Sequence, residues 1–505
     1  MSETVNLYGG GLVTCNIKVE GAVIPDTTDV HSIDVTFSVN RIATARVVIL
    51  DGDAASGNLD VSSSNTFVPG AELTIEAGYD TKNTAIFKGI IVSQNIKIDN
   101  ITGPTLEIVC KDEAVKMTVG RKSLTFAKKT DSEIITEILN SYSLEKKITA
   151  TSNKWPQMVQ YYTTDWDFML SRAEANGFIV SANNGKVFVE NPLEDKTSVL
   201  SLSYGESIYQ FNGDLNAIDQ IGKAKSSSWD YKTQSIVSGE SASDYAGAGN
   251  ISSKKLSEVV GLAEYQLKTP GTLNQDELSN WSKAQIIKSE LSKFSGEVTC
   301  QGNHLVLPGN FITLKNLGAR FNGDHFVSKV THTIAEGNWM TEIGFGLSSE
   351  WFTESHDVMA APAAGLLPGV NGLFTATVKK MYEDPENQFR VLVDIPMFDP
   401  KGEGLWARLG NFYASNNAGA FFFPEVGDEV IVGFLNEDPR FPIILGSLYS
   451  ADKLKPYEGL VPNEKNTLKA IVTKSGMQLS FDDEKKELVI ATPEKNTIRL
   501  SDAEK

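Results

Sequence analysis

Cysteine is scarce in this sequence. Three thiols, Cys15, Cys110 and Cys300, occur among 505 residues, and they are odd in number and far apart. Without a CxxC spacing they match neither a disulfide framework nor a zinc site. We therefore predict buried, reduced thiols, as in a protein made in the cytosol.

Long apolar runs and an excess of positive charge are also missing. No window holds about 18 consecutive apolar residues, the minimum for a membrane-spanning helix. The start, Met1-Ser2-Glu3, carries an acid and no apolar segment, so we expect no signal peptide. The 64 acidic residues outnumber the 46 basic ones, for a net charge of −18. This balance argues against binding to nucleic acid or anionic lipid, because both require a basic surface.

Familiar catalytic motifs are missing too, since the sequence contains no HExxH, no G-x-S-x-G and no Walker A pattern. His325 and His332 are an odd number of residues apart, so on one continuous strand they would face opposite sides. The acids Asp482 and Asp483 belong to a predicted hairpin turn. We therefore predict no catalytic residue, no metal site and no cofactor. The alternative is a hydrolase hidden in residues 190–300.

The length of the chain predicts three or four domains. Within it, residues 371–449 are dense in short strand signals, each closed by proline or by an Asp-Pro pair. No helical period separates them, and so they predict a small closed barrel. The predicted strands are Leu373–Val378, Gln388–Ile395, Leu405–Leu409, Ala420–Phe423, Asp428–Leu435 and Ile443–Leu448.

Two stretches of this barrel, Pro424–Phe434 (PEVGDEVIVGF) and Asp438–Gly446 (DPRFPIILG), closely resemble the OB-fold domain of VgrG and phage-baseplate spike proteins. Val391–Ile395 and Leu405–Leu409 fit the same family. Upstream, Tyr161–Gly177 resembles the tail hub, or late-control, family, in which this segment links a first barrel to a second. The resemblance implies a hub with two barrels before the OB fold.

Helix signals lie between the strand-rich parts. Thr130 and Glu133 match a capping box that begins a helix. A second helix is predicted from Asp165 to Asn176, ending at Gly177, and a third from Asn274 to about Leu291. The sequence therefore predicts helices inserted among the hub strands.

Two stretches are predicted to lack regular structure. Residues 223–250, rich in serine, glycine and alanine, predict a mobile loop or an insertion at a domain edge, and residues 357–370 predict a linker. The fold class we predict is mainly β with an α+β hub: two hub β-barrels with inserted helices, an OB-fold barrel and a short C-terminal trimeric β-helix. The predicted domains are 1–120, first hub barrel; 121–222, connecting segment of the hub; 223–356, second hub barrel; 357–370, linker; 371–450, OB fold; and 451–505, triple-stranded β-helix.

The last fifty residues form an alternating, one-sided ribbon. A segment so short cannot bury its apolar face alone, so the pattern predicts three copies around a common axis. Thr473–Gly476 and Phe481–Asp483 resemble the opening of the VgrG triple-stranded β-helix. We predict Ile498 and Leu500 as the contact with a tip protein. The predicted trimer-core residues are Met477, Leu479, Phe481, Leu488 and Ile490.

The resemblance implies a homotrimeric hub and spike of a contractile injection system. Its implied partners are the inner tube protein, baseplate components, a PAAR-like tip protein and possible effectors, and it would contact a target membrane mechanically. It would be made in the bacterial cytoplasm and exported or released on firing. A phage tail, a type VI system and a released extracellular particle all stay open. Nucleic-acid stacking on Trp406 or Phe421–Phe423 conflicts with the acidic charge, and those aromatics are predicted as barrel core.

Overall fold

The computed structural model describes residues 3–4, 11–52, 57–99, 103–262, 264–356, 358–398, 403–458, 460 and 462–502. Contacts between residues divide the chain into two compact units, Met1–Met359 and Ala360–Lys505. We call them the N-terminal and C-terminal units. The division falls within the stretch 357–370 that the sequence predicts as a linker, while the six domain boundaries stay a prediction.

The described part of the N-terminal unit is built mainly from strands, with six α-helices. Its helices are α1 (Asp131–Asn140), α2 (Asp165–Ala175), α3 (Ser253–Val260), α4 (Gln275–Leu291), α5 (Gly318–Phe321) and α6 (Phe352–Ser355), and a 3-10 helix covers Glu113–Thr118. Its strands are β1 (Glu3–Thr4), β2 (Val13–Val19), β3 (Ala22–Val23), β4 (Val30–Ser38), β5 (Thr44–Leu50), β6 (Glu72–Tyr79), β7 (Lys82–Asp99), β8 (Gly103–Lys111), β9 (Lys122–Thr130), β10 (Glu145–Ile148), β11 (Lys154–Thr163), β12 (Ile179–Asn183), β13 (Lys186–Glu190), β14 (Ser198–Ser203), β15 (Gln210–Leu215), β16 (Lys223–Asp230), β17 (Ser235–Ala242), β18 (Tyr265–Thr269), β19 (Phe294–Gln301), β20 (Phe311–Lys315), β21 (Gly323–Ala335) and β22 (Asn338–Phe345).

Two hydrophobic cores lie along one large sheet of this unit. The first is lined by β2 and β4 to β8, and the second by β14, β15 and β19 to β22. Strand β21 pairs with β4 of the first set and with β20 and β22 of the second. The strands of the two predicted hub barrels therefore share a 14-stranded network, joined through β21.

The helices begin where the sequence predicts. The Thr130 hydroxyl accepts a hydrogen bond from the Glu133 amide, and the Glu133 carboxylate accepts one from the Thr130 amide, which completes the capping box. Asn274 and Glu277 form a second box at α4. Helix α2 is followed by Gly177 at a φ of 69°, in the left-handed region that glycine adopts readily.

The prediction of a mobile loop over residues 223–250 is wrong, because β16 and β17 form a hairpin that packs on α4. Small side chains allow the close approach. A Cβ on Gly239 would lie 2.3 Å from the backbone nitrogen of Ser279, and Ser226 is fully buried with its hydroxyl donating to the carbonyl of Leu278 (2.6 Å). The serine and glycine content reflects tight packing rather than mobility.

The C-terminal unit begins with a closed five-stranded barrel in the order β23-β24-β25-β29-β28. Its core alternates along each strand, with Val430 and Val432 pointing inward and Ile431 between them pointing outward. A separate hairpin, β26–β27, leaves the barrel after β25. The barrel and hairpin strands are β23 (Phe374–Lys380), β24 (Arg390–Asp394), β25 (Leu405–Leu409), β26 (Ala414–Ser415), β27 (Ala418–Gly419), β28 (Glu429–Phe434) and β29 (Pro442–Leu448).

Two predictions for this barrel need correction. Residues Ala420–Phe423 are not a strand. Phe421 and Phe422 are exposed and lie outside the barrel core, although Phe423 packs against it. The run of aromatic residues predicted a strand, but Pro424 removes an N–H and the short hairpin before it directs the chain away from the ladder.

Part of the predicted linker is ordered against the barrel. The amide of Val370 donates to the carbonyl of Glu437 (2.7 Å), and the Asn371 side-chain amide donates to the Glu437 carboxylate (3.0 Å). A 3-10 helix, Pro362–Gly365, packs on the 3-10 turn Leu435–Glu437. The segment is therefore fixed to the loop before β29 by its backbone.

The unit ends in a four-stranded antiparallel sheet, which we call the tail sheet: β30 (Leu468–Val472), β31 (Gln478–Asp482), β32 (Glu487–Ala491) and β33 (Thr497–Ser501). The fold class is thus mainly β, as predicted, with helices inserted in the N-terminal unit and a closed barrel in the C-terminal one. None of the helices in the described ranges combines the length and apolar character that a bilayer crossing needs.

Candidate functional site

The tail sheet places its apolar side chains in rows across four strands. Residues directly opposite each other in an antiparallel pair share a face. The register therefore aligns two rows on one face of the sheet, which we call the apolar face. The first row is Ile471, Leu479, Ile490 and Ile498. The second row begins with Lys469, its one charged member, and continues with Phe481, Leu488 and Leu500.

This face is open to solvent within a single chain. Ile490 is 44% exposed, although it lies on an inner strand, and Ile498 and Leu500 are 62% and 61% exposed. The opposite face is polar or small at most positions, including Ser480 and Arg499. The sheet thus has one face that a single chain does not cover.

Residues in the turns between the strands set this register. Gly476, at a φ of 85°, lies in the turn between β30 and β31, where the Met477 amide donates to the Thr473 hydroxyl (3.1 Å). This turn divides the first part of the predicted ribbon into two strands, β30 and β31. In the next turn, Asp482 accepts from the amides of Glu484 and Lys485. Polar turns at both ends confine the apolar residues to the strands.

The predicted site residues come together on this face. Leu479, Phe481, Leu488 and Ile490 occupy the two inner strands, and Met477 directly precedes β31. Ile498 and Leu500, predicted as a tip contact, continue the same two rows on the edge strand β33. Their division into trimer core and tip contact stays a prediction. Ile471, which the sequence analysis did not single out, completes the first row. The signal for it in the sequence was alternation along the strand, because Ile471 lies two residues from Lys469 and therefore on the same face.

The histidines singled out in the sequence are packed in separate cores. His325 lies 5.0 Å, between ring centroids, from both Phe294 and Phe345, whereas His332 packs on Phe37 and Trp339. Burial lowers the pKa of His325 and lowers that of His332 to about 4, with a smaller effect of His304. In the part of the chain that the structure describes, no cluster of three or more His, Cys, Asp or Glu could hold a metal ion.

The thiols are shielded in the same way. Cys110 and Cys300 are buried and Cys15 is partly buried. Burial raises the pKa of Cys110 and Cys300 to about 12, and burial with a nearby Glu76 raises that of Cys15 to about 11. These thiols stay protonated at neutral pH and are poor nucleophiles.

Serines of the region 190–300 serve packing. Ser282 donates to the Ser226 hydroxyl (3.0 Å), and the Ser228 hydroxyl donates to the carbonyl of Leu273 (3.1 Å). Each of these hydroxyls lies between the β16–β17 hairpin and the α4 segment. Ser226 and Ser228 tie the two elements together by donating to backbone carbonyls, those of Leu278 and Leu273.

Two protein families match parts of the chain. The family described as the Alg8 N-terminal domain matches residues 9–336, more than half of the chain. The family described as the type VI secretion system/phage-baseplate injector OB domain matches residues 374–449, the barrel described above. The chain belongs to the Alg8 N-terminal domain family and to the VgrG and phage-baseplate hub-and-spike proteins.

Relatives of this hub-and-spike chain carry the VgrG name. The type VI secretion system spike protein VgrG1a of Pseudomonas aeruginosa is 28% identical over 174 residues, 32% of this chain and 27% of VgrG1a. The actin cross-linking toxin VgrG1 of Vibrio cholerae is 24% identical over 404 residues, 73% of this chain and 35% of the toxin. The matched part therefore spans about a quarter to a third of the length of these two relatives.

A solved structure shares the fold of two thirds of the chain. The 43 kDa tail protein of prophage MuSo2 from Shewanella oneidensis superimposes with a TM-score of 0.52 at 10% identity, over 67% of this chain and 99% of that protein. At this identity the similarity concerns the fold alone. The hub-and-spike chain thus shares its fold with a phage tail protein over two thirds of its length.

Proposed function

We propose that the chain assembles as a homotrimer that serves as the hub and spike of a contractile injection system. The observation that carries the proposal is the open apolar face of the tail sheet. Three chains that turn this face toward a common axis would cover both rows. The family membership and the fold similarity to a phage tail protein support the same function.

Burial of apolar side chains would stabilise such an assembly. Full burial of one exposed Leu, Ile or Phe side chain contributes about 1.5–3 kcal/mol, and Phe481 and Ile490, which are 42% and 44% exposed, would contribute part of that amount. With Leu479 and Leu488 they supply the inner strands of the apolar face in each of three copies. This contribution opposes the estimated 4–15 kcal/mol that each association step costs in lost freedom of motion.

The partners we propose follow from this role. The hub would bind a hexameric inner tube protein and baseplate components, with two barrel-like cores per chain and three chains giving six similar units. Ile498 and Leu500 would contact a PAAR-like tip protein, and effectors could be carried along. The spike would meet a target membrane mechanically and bind no nucleic acid. We propose that the chain is made in the bacterial cytoplasm and leaves it within an injection particle.

We propose that this role is mechanical rather than catalytic. The alternative, a peptidoglycan hydrolase in residues 190–300, would need a pair of carboxyl groups or an activated nucleophile, and the buried hydroxyls of Ser226, Ser228 and Ser282 serve packing instead. Incubation of the purified chain with peptidoglycan tests this alternative. Release of soluble fragments would contradict the mechanical role.

Light scattering coupled to size exclusion tests the trimer directly. We expect a mass three times the 55.0 kDa of one chain, retained on dilution to micromolar concentration. A folded, compact monomer at that concentration would contradict the proposed hub-and-spike function.

A further inference from the structure

A buried lysine lies between helix α4 and strand β19 of the N-terminal unit. Lys293 is 2% exposed, whereas lysine side chains are almost never fully buried unless their charge is paired. In the ranges that the structure describes, no carboxylate forms an ion pair with its ammonium group. The ammonium group donates instead to three backbone carbonyls, those of Ala246 (3.2 Å), Ala248 (2.8 Å) and Ile251 (3.3 Å).

The three carbonyls belong to one connecting segment. Residues 243–251, which we call the strap, join strand β17 to helix α3. Gly247 and Gly249 have φ values of 60° and 75°, in the left-handed region that glycine adopts without strain. The three carbonyls lie before, between and after these glycines in the chain. The backbone of the strap therefore curls so that all three oxygens reach one ammonium group.

A second charged side chain holds the beginning of the strap. Glu290, which is 4% exposed, accepts hydrogen bonds from the hydroxyl of Ser243 (2.6 Å) and the amide of Tyr245 (3.1 Å). Further along, the amide of Gly249 donates to the carbonyl of Asn322 (2.8 Å), just before β21. Glu290 thus fixes the first residues of the strap, and Lys293 fixes the residues that follow.

Convergent backbone carbonyls are the ligands by which proteins replace the hydration shell of a monovalent cation such as K⁺. An ammonium group has three N–H donors and no acceptor, so three carbonyls satisfy it completely. The ring of Phe294, with its centroid 5.0 Å from the nitrogen, offers π electrons to the same charge. The surroundings of the Lys293 nitrogen are therefore those of a bound cation, and the side chain supplies that cation from within the chain.

We propose that Lys293 acts as a tethered monovalent cation, and that the strap carbonyls form a site which a free K⁺ or ammonium ion occupies when this side chain is shortened. In this arrangement the positive charge, rather than the packing of the lysine stem, orders the strap. A lysine that served packing alone would behave differently, because a free ion could not replace its stem. The inference concerns the N-terminal unit and does not depend on the proposed trimer.

Chemical rescue in the full-length chain tests this proposal. Hydrogen–deuterium exchange of the strap amides is compared in the wild type and in Lys293→Ala, in chlorides of potassium, ammonium, lithium and tetramethylammonium at equal ionic strength. In K293A without K⁺ or ammonium we expect exchange to be about tenfold faster or more, as for the loss of a hydrogen bond to a charged group.

Potassium and ammonium ions should restore most of the lost protection. Lithium, which holds its water tightly, and tetramethylammonium, which is large and has no N–H, should restore little. If no salt restored the protection, or if all four salts restored it equally, the carbonyls would not form a cation site and the proposal would be overturned.

Two further variants keep the test decisive. Lys283→Ala is the matched control, because Lys283 is exposed on the same helix, and its strap should exchange as in the wild type in every salt. Lys293→Met keeps the aliphatic stem and fills the site with a methyl group, so we expect fast exchange of the strap without rescue by any ion. A K293M strap as protected as in the wild type would overturn the proposal, even if K293A failed to fold.

Discussion

The OB barrel and the tail sheet follow one another in the same unit, and both consist of short strands with alternating apolar residues. In the barrel, five strands close on themselves, and Val430, Val432 and Ile444 are fully buried. In the tail sheet, four strands form an open meander, and Ile490 keeps 44% of its surface exposed. Alternation is therefore the same in both regions, but only one of them completes its core.

Closure accounts for the difference. A closed barrel has an inside, so one set of alternate side chains is buried by the strands themselves. A single open sheet has two faces and no inside, and its apolar face needs another layer. The barrel is thus expected to fold within one chain, whereas the tail sheet is expected to depend on other chains. The predictions below test this contrast.

The largest effect is expected from a charge on the apolar face. Ile490→Asp would place a carboxylate on each of three chains at the common axis, where an unpaired buried charge is strongly destabilising. We expect complete loss of the trimer at micromolar concentration by light scattering, with the circular dichroism of the N-terminal unit retained.

Thr497→Asp is the control for this variant, because Thr497 lies opposite Ala491 on the other face of the tail sheet. It should remain trimeric. If both variants stayed trimeric, the apolar face would not be the assembly surface.

A cavity in the barrel should act within one chain. Ile444→Ala removes a fully buried side chain and should lower the free energy of unfolding of the C-terminal unit by about 2–5 kcal/mol. Denaturant unfolding followed at several protein concentrations should give the same loss at each, unlike the concentration-dependent loss expected from tail variants. Thr375→Ala, on the outside of the barrel, should change little. If the loss of unfolding free energy for I444A varied with protein concentration, the barrel would depend on assembly as well, which would contradict this prediction.

Acid should lower the free energy of unfolding of the N-terminal unit, because His332 is buried there. The pKa of His332 falls from the ordinary 6.5 to about 4 in the folded chain, chiefly because of burial. As the pH drops through 6.5, the unfolded chain therefore takes up this proton first, and stability is lost progressively down to about pH 4. The loss reaches roughly 3 kcal/mol at most.

The variant His332→Gln should lose less stability between pH 7 and pH 4.5 in thermal or denaturant unfolding. Thr341→Val removes the hydroxyl that bonds the imidazole (3.0 Å) but keeps the titrating ring, so it should retain the acid loss. An acid loss in H332Q as large as in the wild type would assign it to other groups.

The smallest effect is expected at a helix end. Thr130→Ala removes the side-chain oxygen that caps α1 and should destabilise the N-terminal unit by about 1 kcal/mol. Thr130→Ser keeps the hydroxyl and should stay close to the wild type. Assembly of the trimer, which depends on the other unit, should be unchanged in both. A shift in trimer mass for T130A would link helix α1 to assembly.

Local signals in the sequence were sufficient to predict many helices and strands. The capping boxes at Thr130 and Asn274, the stop at Gly177 and five of the six predicted barrel strands follow from interactions within a few residues. The one-sided pattern of the tail was visible for the same reason, since alternation along a strand fixes which side chains share a face. These features depend on near neighbours in the chain, and the sequence contains all of them.

Other features depend on contacts between distant residues. The serine-rich hairpin β16–β17 resembles a loop in composition, and only its packing against α4 explains Ser226 and Gly239. The exposure of Phe421 and Phe422 could not be predicted either, because the same run of aromatic residues would also suit a strand that faces the barrel core.

By itself, the sequence determined the mainly β class and the apolar side of the tail, because periodicity and turn residues act locally, and its motifs carried the resemblance to the family. The tertiary structure alone decided that β21 joins two cores in one sheet and that the barrel closes while the tail does not. Strand order and closure are set by pairings between residues far apart in the chain, and periodicity carries no information about which strands pair.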